Sequence, residues 1–250
     1  MKKAAGLVLA MVILITFSTT VFAVESVPLI LYEEREQYAN QTVKVDCVFG
    51  FNHGSSRDVW YKTKTGYQYE RELSRDLAIG MNKYISSEKK QYLRNPEEGV
   101  VHRVTMVLYD DGSMGASTIT EYELLSETVN IDDLIQEYKD SCQDIAVKTI
   151  LRNPKVYEGQ FTYVEFEGEV LQIIEDYYGP AGCILITNDY EDIVYLEYRP
   201  DDNDVLMLES DRIKVYGYLP PLKITETYDT LFGKKTVPYV SVEFWDLIEE

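Results

Sequence analysis

Residues 130–174 limit what this chain can fold into more than any other stretch. Apolar residues recur at steps of three and four through Ile131, Leu134, Ile135, Tyr138, Cys142, Ile145, Thr149 and Ile150, which draws one stripe along an amphipathic helix. Asn130 is placed to cap it, Asp132 and Asp133 sit where the helix dipole favours negative charge, and Asn153-Pro154 stops it. Such a stripe predicts packing against a sheet or the end of a barrel. The period then changes from 3.6 to 2. Val164, Phe166, Gly168 and Val170 share one side of a predicted strand and Glu165, Glu167 and Glu169 the other. Beyond Val170 the apolar positions switch to Leu171, Ile173 and Ile174, so Gly168 marks a bend or bulge. A strand that bends to serve both halves of a small closed barrel has this pattern.

Strands dominate the rest. Val43, Val45, Cys47 and Phe49 alternate with Thr42, Lys44 and Asp46, the mark of a half-buried strand. Phe51–Asp58 reads as a turn; strands follow at 59–64 and 67–72. Residues 73–93 have a helical, charged pattern ended by Asn95-Pro96. Val100–Tyr109 and Ala116–Leu125 flank Asp111-Gly112, a hairpin signal because such pairs accept the positive φ of a tight turn. After the 157–174 strand, four more are expected near Cys183, Ile193, Arg212 and Val237, giving five. The two halves look alike: Tyr38, Asn40, Gln41 and Val45 line up with Tyr157, Gly159, Gln160 and Val164, and Arg103 with Arg212.

Lys2 and Lys3, an apolar run from Ala4 to Phe17 and the small-residue end at Val21-Phe22-Ala23 form the pattern of a secretory leader cut after Ala23. The expected organisation is therefore a signal peptide 1–23, a first β-rich, OB-like domain 24–127, a connecting helix 128–154 and a second OB-like domain 155–250, with no membrane span after cleavage. Net charge is −19, from 24 Lys and Arg against 43 Asp and Glu; loss of two lysines takes it to −21. That balance argues against a phosphate backbone as partner. Cys47, Cys142 and Cys183 are an odd set among apolar neighbours and read as buried thiols. His53 and His102 lack ligand spacing, so no metal and no cofactor are expected. Asp201-Asp202-Asn203-Asp204 lacks the glycine and distal glutamate of a calcium loop and reads as a solvated turn.

The helix, Tyr157, the segment from Phe166 to Ile173, Ile193–Tyr198, Ser210–Gly217 and Phe232–Pro238 resemble, in order and spacing, bacterial secreted OB-fold domains of the so-called tRNA-anticodon-like group of Firmicute exoproteins. The likeness covers roughly residues 131–248 and reaches the first half through the internal repeat. It implies a mainly β fold with connecting helices, built as tandem five-stranded OB-like barrels, and brings no catalytic residues. Barrels of that kind bind across strands 2–3 and the loops after strands 1 and 4. Those loops would be Phe51–Asp58, Asp176–Gly182 and Leu219–Pro238, and the aromatic candidates for ligand binding are Tyr177, Tyr178, Tyr195 and Tyr228. No Ser-His-Asp or Cys-His set stands out, so no enzyme is expected. The function read here is a secreted, non-enzymatic module that binds a protein, peptide or glycan at or outside the cell envelope; an OB-fold nucleic-acid binder is the alternative.

Overall fold

The alternation at Val43, Val45 and Cys47 folds as read: all three are buried on one face of a strand that pairs on both sides. The computed structural model describes residues 27–52, 56–73, 92–93, 96–109, 119–176, 179–187, 192–198, 206–230 and 233–248. The expected leader, the helical pattern between 74 and 91, the turn at Asp111-Gly112, the acidic run 201–204, and His53, Tyr177 and Tyr178 lie outside them.

The first sheet holds β1 (Leu29–Ile30), β2 (Thr42–Asn52), β3 (Ser56–Lys62), β4 (Tyr67–Leu73), β5 (Val100–Val107) and β6 (Ile119–Thr128). Its order is β4-β3-β2-β5-β6, with β1 added parallel to β2. The second sheet holds β7 (Gln143–Asp144), β8 (Thr162–Asp176), β9 (Gly179–Thr187), β10 (Asp192–Glu197), β11 (Arg212–Leu219), β12 (Thr225–Thr230) and β13 (Gly233–Leu247). It runs β10-β9-β8-β11-β13-β12, and a parallel pairing of Tyr195–Glu197 with Tyr239–Ser241 joins β10 to β13 and closes the wall. Leaving out β1 and the short β7 and β12, each sheet runs through its five strands in the order 3-2-1-4-5. That is the order of an OB barrel, and the fold is mainly β with tandem OB-like barrels. Among the described residues no helix is long and apolar enough to cross a membrane.

Gly168 sits at the hand-over of β8 between neighbours. Thr162–Glu169 pair with β11, and Gly168–Asp176 pair with β9. A Cβ at Gly168 would lie 2.0 Å from the Ile186 carbonyl oxygen, so only glycine lets the strands close there. The predicted change of face is a bulge two residues on: the register slips between Val170 and Gln172, and Leu171 turns out to 45% exposure.

Three expectations are corrected. The connecting helix is broken: α1 (Ile131–Ser141) stops at Cys142, which is extended at φ −71 and ψ 145; β7 then pairs with Val164 and Glu165, and α2 (Val147–Arg152) follows. The stripe therefore addresses two cores. Ile131, Leu134 and Tyr138 pack with Trp60 and Tyr69, whereas Val147 and Ile150 plug the closed barrel beside Leu196 and Val240. The turn read over Phe51–Asp58 is narrower, since Asn52 pairs with Arg57 and both Arg57 and Asp58 are buried strand residues. The Leu219–Pro238 connection is a β-hairpin arm in which β12 pairs with the start of β13. Within the expected Asp176–Gly182 loop, Asp176 pairs with Gly179 at the ends of β8 and β9.

Asn40 (φ 60) and Gly159 (φ 79), which the two halves align, both adopt a left-handed backbone just before β2 and β8. No disulfide joins Cys47, Cys142 and Cys183; Cys47 and Cys183 are buried and Cys142 half-buried, and burial pushes the Cys142 and Cys183 thiols up to about 12. Iodoacetamide followed by mass spectrometry should thus modify Cys47 and Cys183 only after unfolding; modification at the rate of a free thiol would contradict this core. Urea denaturation should show Gly168→Ala costing about 3 kcal/mol, the upper end of overpacking. Gly159→Ala, with open space around it, should cost only about 1 kcal/mol for its positive φ.

Candidate functional site

Tyr138, one helical turn after Leu134 on the buried face of α1, is carried into the seam between the two sheets. Its ring meets Tyr69 of β4 at 5.2 Å, Tyr163 of β8 at 5.4 Å and Phe244 of β13 at 5.2 Å, each edge to face. Polar contacts cross the same seam. Gln68 Nε2 donates to the Tyr163 hydroxyl at 2.7 Å, and the Tyr69 hydroxyl lies 3.1 Å from Glu243 Oε2 across the seam and 2.8 Å from Asp58 Oδ1 within its own sheet. Lys139, next on α1, reaches Asp246 at 2.6 Å.

Beside these rings opens a cleft of about 220 Å³. Its walls are aromatic, from Tyr32 and Tyr69 on one side to Tyr163, Phe161 and Tyr218 on the other, with Glu70 and Glu243 as its two carboxyls and Arg35 as its cation. The Arg35 guanidinium lies 4.0 Å from the centre of the Tyr32 ring, and the Tyr32 hydroxyl donates to Glu70. Burial holds the Glu70 carboxyl above its usual range, against the opposing pull of the Tyr32 hydrogen bond and Arg35. Burial, followed by the nearby Glu243 charge, raises the Tyr138 hydroxyl far above the ordinary phenol range.

A second surface forms on the closed barrel. Tyr195, on the barrel's third strand, stacks on Tyr239 of the fifth with centroids 5.3 Å apart and planes within 12°. Lys223 Nζ lies 3.8 Å from the Tyr239 ring centre and 2.6 Å from Glu226, and the Tyr239 hydroxyl is hydrogen-bonded to Glu197. Exposed Lys234 and Lys235 stand on the arm, Lys235 opposite Tyr228 and on the same side of β13 as Tyr239 by alternation.

Of the four tyrosines singled out from sequence, Tyr195 therefore lies in a surface cluster and Tyr228 on the arm that leads to it. The backbone of β13 brings in Tyr239 and the lysines, which sequence reasoning passed over. Alternation along 235–241 was the signal that could have found them. The cleft was missed altogether, because its residues come from six separate segments. His102 is a core residue: its Nδ1–H donates to the Val100 carbonyl at 2.8 Å and its ring meets Phe49 at 4.9 Å. Among the described residues no group of three or more His, Cys, Asp or Glu is arranged to hold a metal.

No family model matches the sequence, and no curated protein matches it. Solved structures do align over most of its length. The Ifi202 HINa domain in complex with 20-bp dsDNA shares 11% identity, with 84% of this chain and 96% of that chain covered at a TM-score of 0.33. A structure described as structural mimicry for functional antagonism shares 11%, with 86% and 99% covered, also at 0.33. The expectation that charge makes nucleic acid an unlikely partner is corrected: the first of these is a domain in complex with dsDNA. The physical reason is that net charge is a sum over the whole surface. Exposed charges act over a screening length of roughly 8–10 Å, so what a strand would meet is set locally.

The Glu70 carboxyl gives a pH test. Its folded pKa stands above its unfolded value, so the folded state holds the extra proton, and stability falls as pH rises from about 4.5 through the folded value. Glu70→Gln keeps an acceptor for Tyr32 and removes the buried charge. Thermal melts should show the variant more stable than the parent at pH 7 and equal to it near pH 3; equal melts at pH 7 would refute the reading.

Proposed function

We propose that the chain is a non-enzymatic nucleic-acid-binding module of tandem OB-like barrels, which arose by duplication of one barrel unit and acts outside the cell. The leader pattern supports the last point, and the shared strand order with the matched Asn40 and Gly159 supports the duplication. One observation carries the binding role: Tyr195 on the third barrel strand stacks on Tyr239 of the fifth, Lys223 rests on the Tyr239 ring, and β13 runs from there into the arm that bears Lys234 and Lys235. Strands 2–3 and that same connection are where OB barrels take up oligonucleotides. The chemistry matches. Sequence-tolerant binding of single strands needs aromatic faces for bases and cations for phosphates. Tyr195 supplies the first, and Lys223, Lys234 and Lys235 supply the second. The DNA held by the Ifi202 HINa domain is in line with this reading.

Fluorescence anisotropy with a labelled single-stranded oligonucleotide and with a duplex, at low salt, tests it. Binding should weaken as salt rises, and Tyr195→Ala should cost roughly 5- to 100-fold, the worth of about one stacked base. Lys234→Glu with Lys235→Glu should reduce the salt slope by about 0.7 per lost single-strand contact. Well-folded protein that leaves both oligonucleotides free at low salt would overturn the proposal and return the protein, peptide or glycan reading to first place.

A further inference from the structure

We infer that the cleft between the two sheets is a binding site for a small methylated or quaternary ammonium compound with a short polar tail, a choline-like amino alcohol. The inference goes beyond the nucleic-acid reading, and the cleft shares no lining residue with the Tyr195 and Tyr239 surface.

The first ground is the wall. Tyr138 stands edge to face with both Tyr69 and Tyr163, and Phe161 does the same with Tyr218, so the rings around the cleft lie at steep angles to one another. Rings set that way surround a space instead of stacking it shut, and their electron-rich faces favour a cation whose charge is spread over methyl groups. The protein uses this chemistry at the rim, where Arg35 rests on the Tyr32 face.

The second ground is charge. Two carboxyls, Glu70 and Glu243, line the cleft with one guanidinium, and both are half-buried, where a cation gains more than on an open surface. The third is an unmet polar atom. Tyr138, 7% exposed, lines the cleft, and its hydroxyl has no hydrogen-bond partner among the described residues. A bare tetraalkyl cation would leave it so; a ligand with a hydroxyl tail would satisfy it. Size agrees too: about 220 Å³ falls below the roughly 300–1,000 Å³ of sites for drug-sized ligands.

Titration calorimetry of the full chain with choline, and with its uncharged carbon isostere dimethylbutanol, separates cation recognition from the filling of an apolar gap. Choline should bind saturably and the isostere at least about tenfold more weakly, as face-on cation contacts require. Glu243→Gln should weaken choline at least about fivefold and leave the isostere unchanged. Arg35→Gln should tighten choline, because it removes the competing cation, and it keeps the test alive if the Glu243 variant does not fold. Equal affinity for the two compounds, or no saturable choline binding, would overturn the inference. Neither result bears on the oligonucleotide titration.

Discussion

The contact on which the arrangement of this protein depends is the insertion of Tyr138 between two sheets. One ring touches Tyr69 from the first sheet and Tyr163 and Phe244 from the second, so a single helical residue bridges the two barrels at the centre of their seam. Edge-to-face aromatic pairs are worth about 0.5–1.5 kcal/mol each beyond the area they bury, and three such pairs meet on this ring. The Tyr69 contacts with Asp58 and Glu243 and the Gln68 contact with Tyr163 add direction. Apolar packing alone would let the sheets slide; hydrogen bonds between named partners set one register. The cleft exists because the seam is aromatic: flat rings at steep angles do not fill space as branched aliphatic side chains do.

The same contact explains the broken helix. A continuous helix from Ile131 to Arg152 would lay one stripe against one partner, but this stripe has two. Its first half belongs with Trp60, Tyr69 and Tyr216, and its second with Leu196, Ile213 and Val240. Cys142 leaves the helix, and Gln143 and Asp144 pair with β8, so the exposed backbone groups at the break are met by a ladder in place of water. That short pairing re-aims α2 into the mouth of the closed barrel.

Legibility in the sequence followed the range of the interactions. Period-two alternation placed β2 and β8, because which face of a strand is buried is written in every second residue. Gly168 was readable for a similar reason: a glycine inside an apolar, alternating run has few uses other than a close approach, and the Ile186 carbonyl makes it. The helix break was not readable. Nothing between Tyr138 and Ile145 lowers helix propensity enough to end a helix, and the cause is a pairing with Val164 about twenty residues away. Strand β12 hid for the opposite reason, since it is an arm with little core to bury and so shows little alternation. The cleft was the least readable of all; Tyr32, Glu70, Tyr138, Tyr163, Tyr218 and Glu243 have no local pattern in common.

Charge shows how a composition can mislead about a site. An excess of 19 acids was read as one repulsive surface, yet the structure uses many of its cations in pairs along the ladders. Arg103 holds Asp46 with two hydrogen bonds of 2.8 and 2.9 Å, Lys214 meets Glu165, and Arg212 meets Glu167 on a neighbouring strand. The exposed pair Arg212–Glu167 contributes little stability, about 0–1 kcal/mol, but all three cancel the field where they stand. What reaches a ligand is the remainder. On the arm the remainder includes Lys234 and Lys235; in the cleft it is two carboxyls against Arg35. The surface proposed for nucleic acid and the cleft proposed for a cation thus lie on different parts of one acidic chain. Because short-range screening keeps each field local, neither has to be paid for by the other.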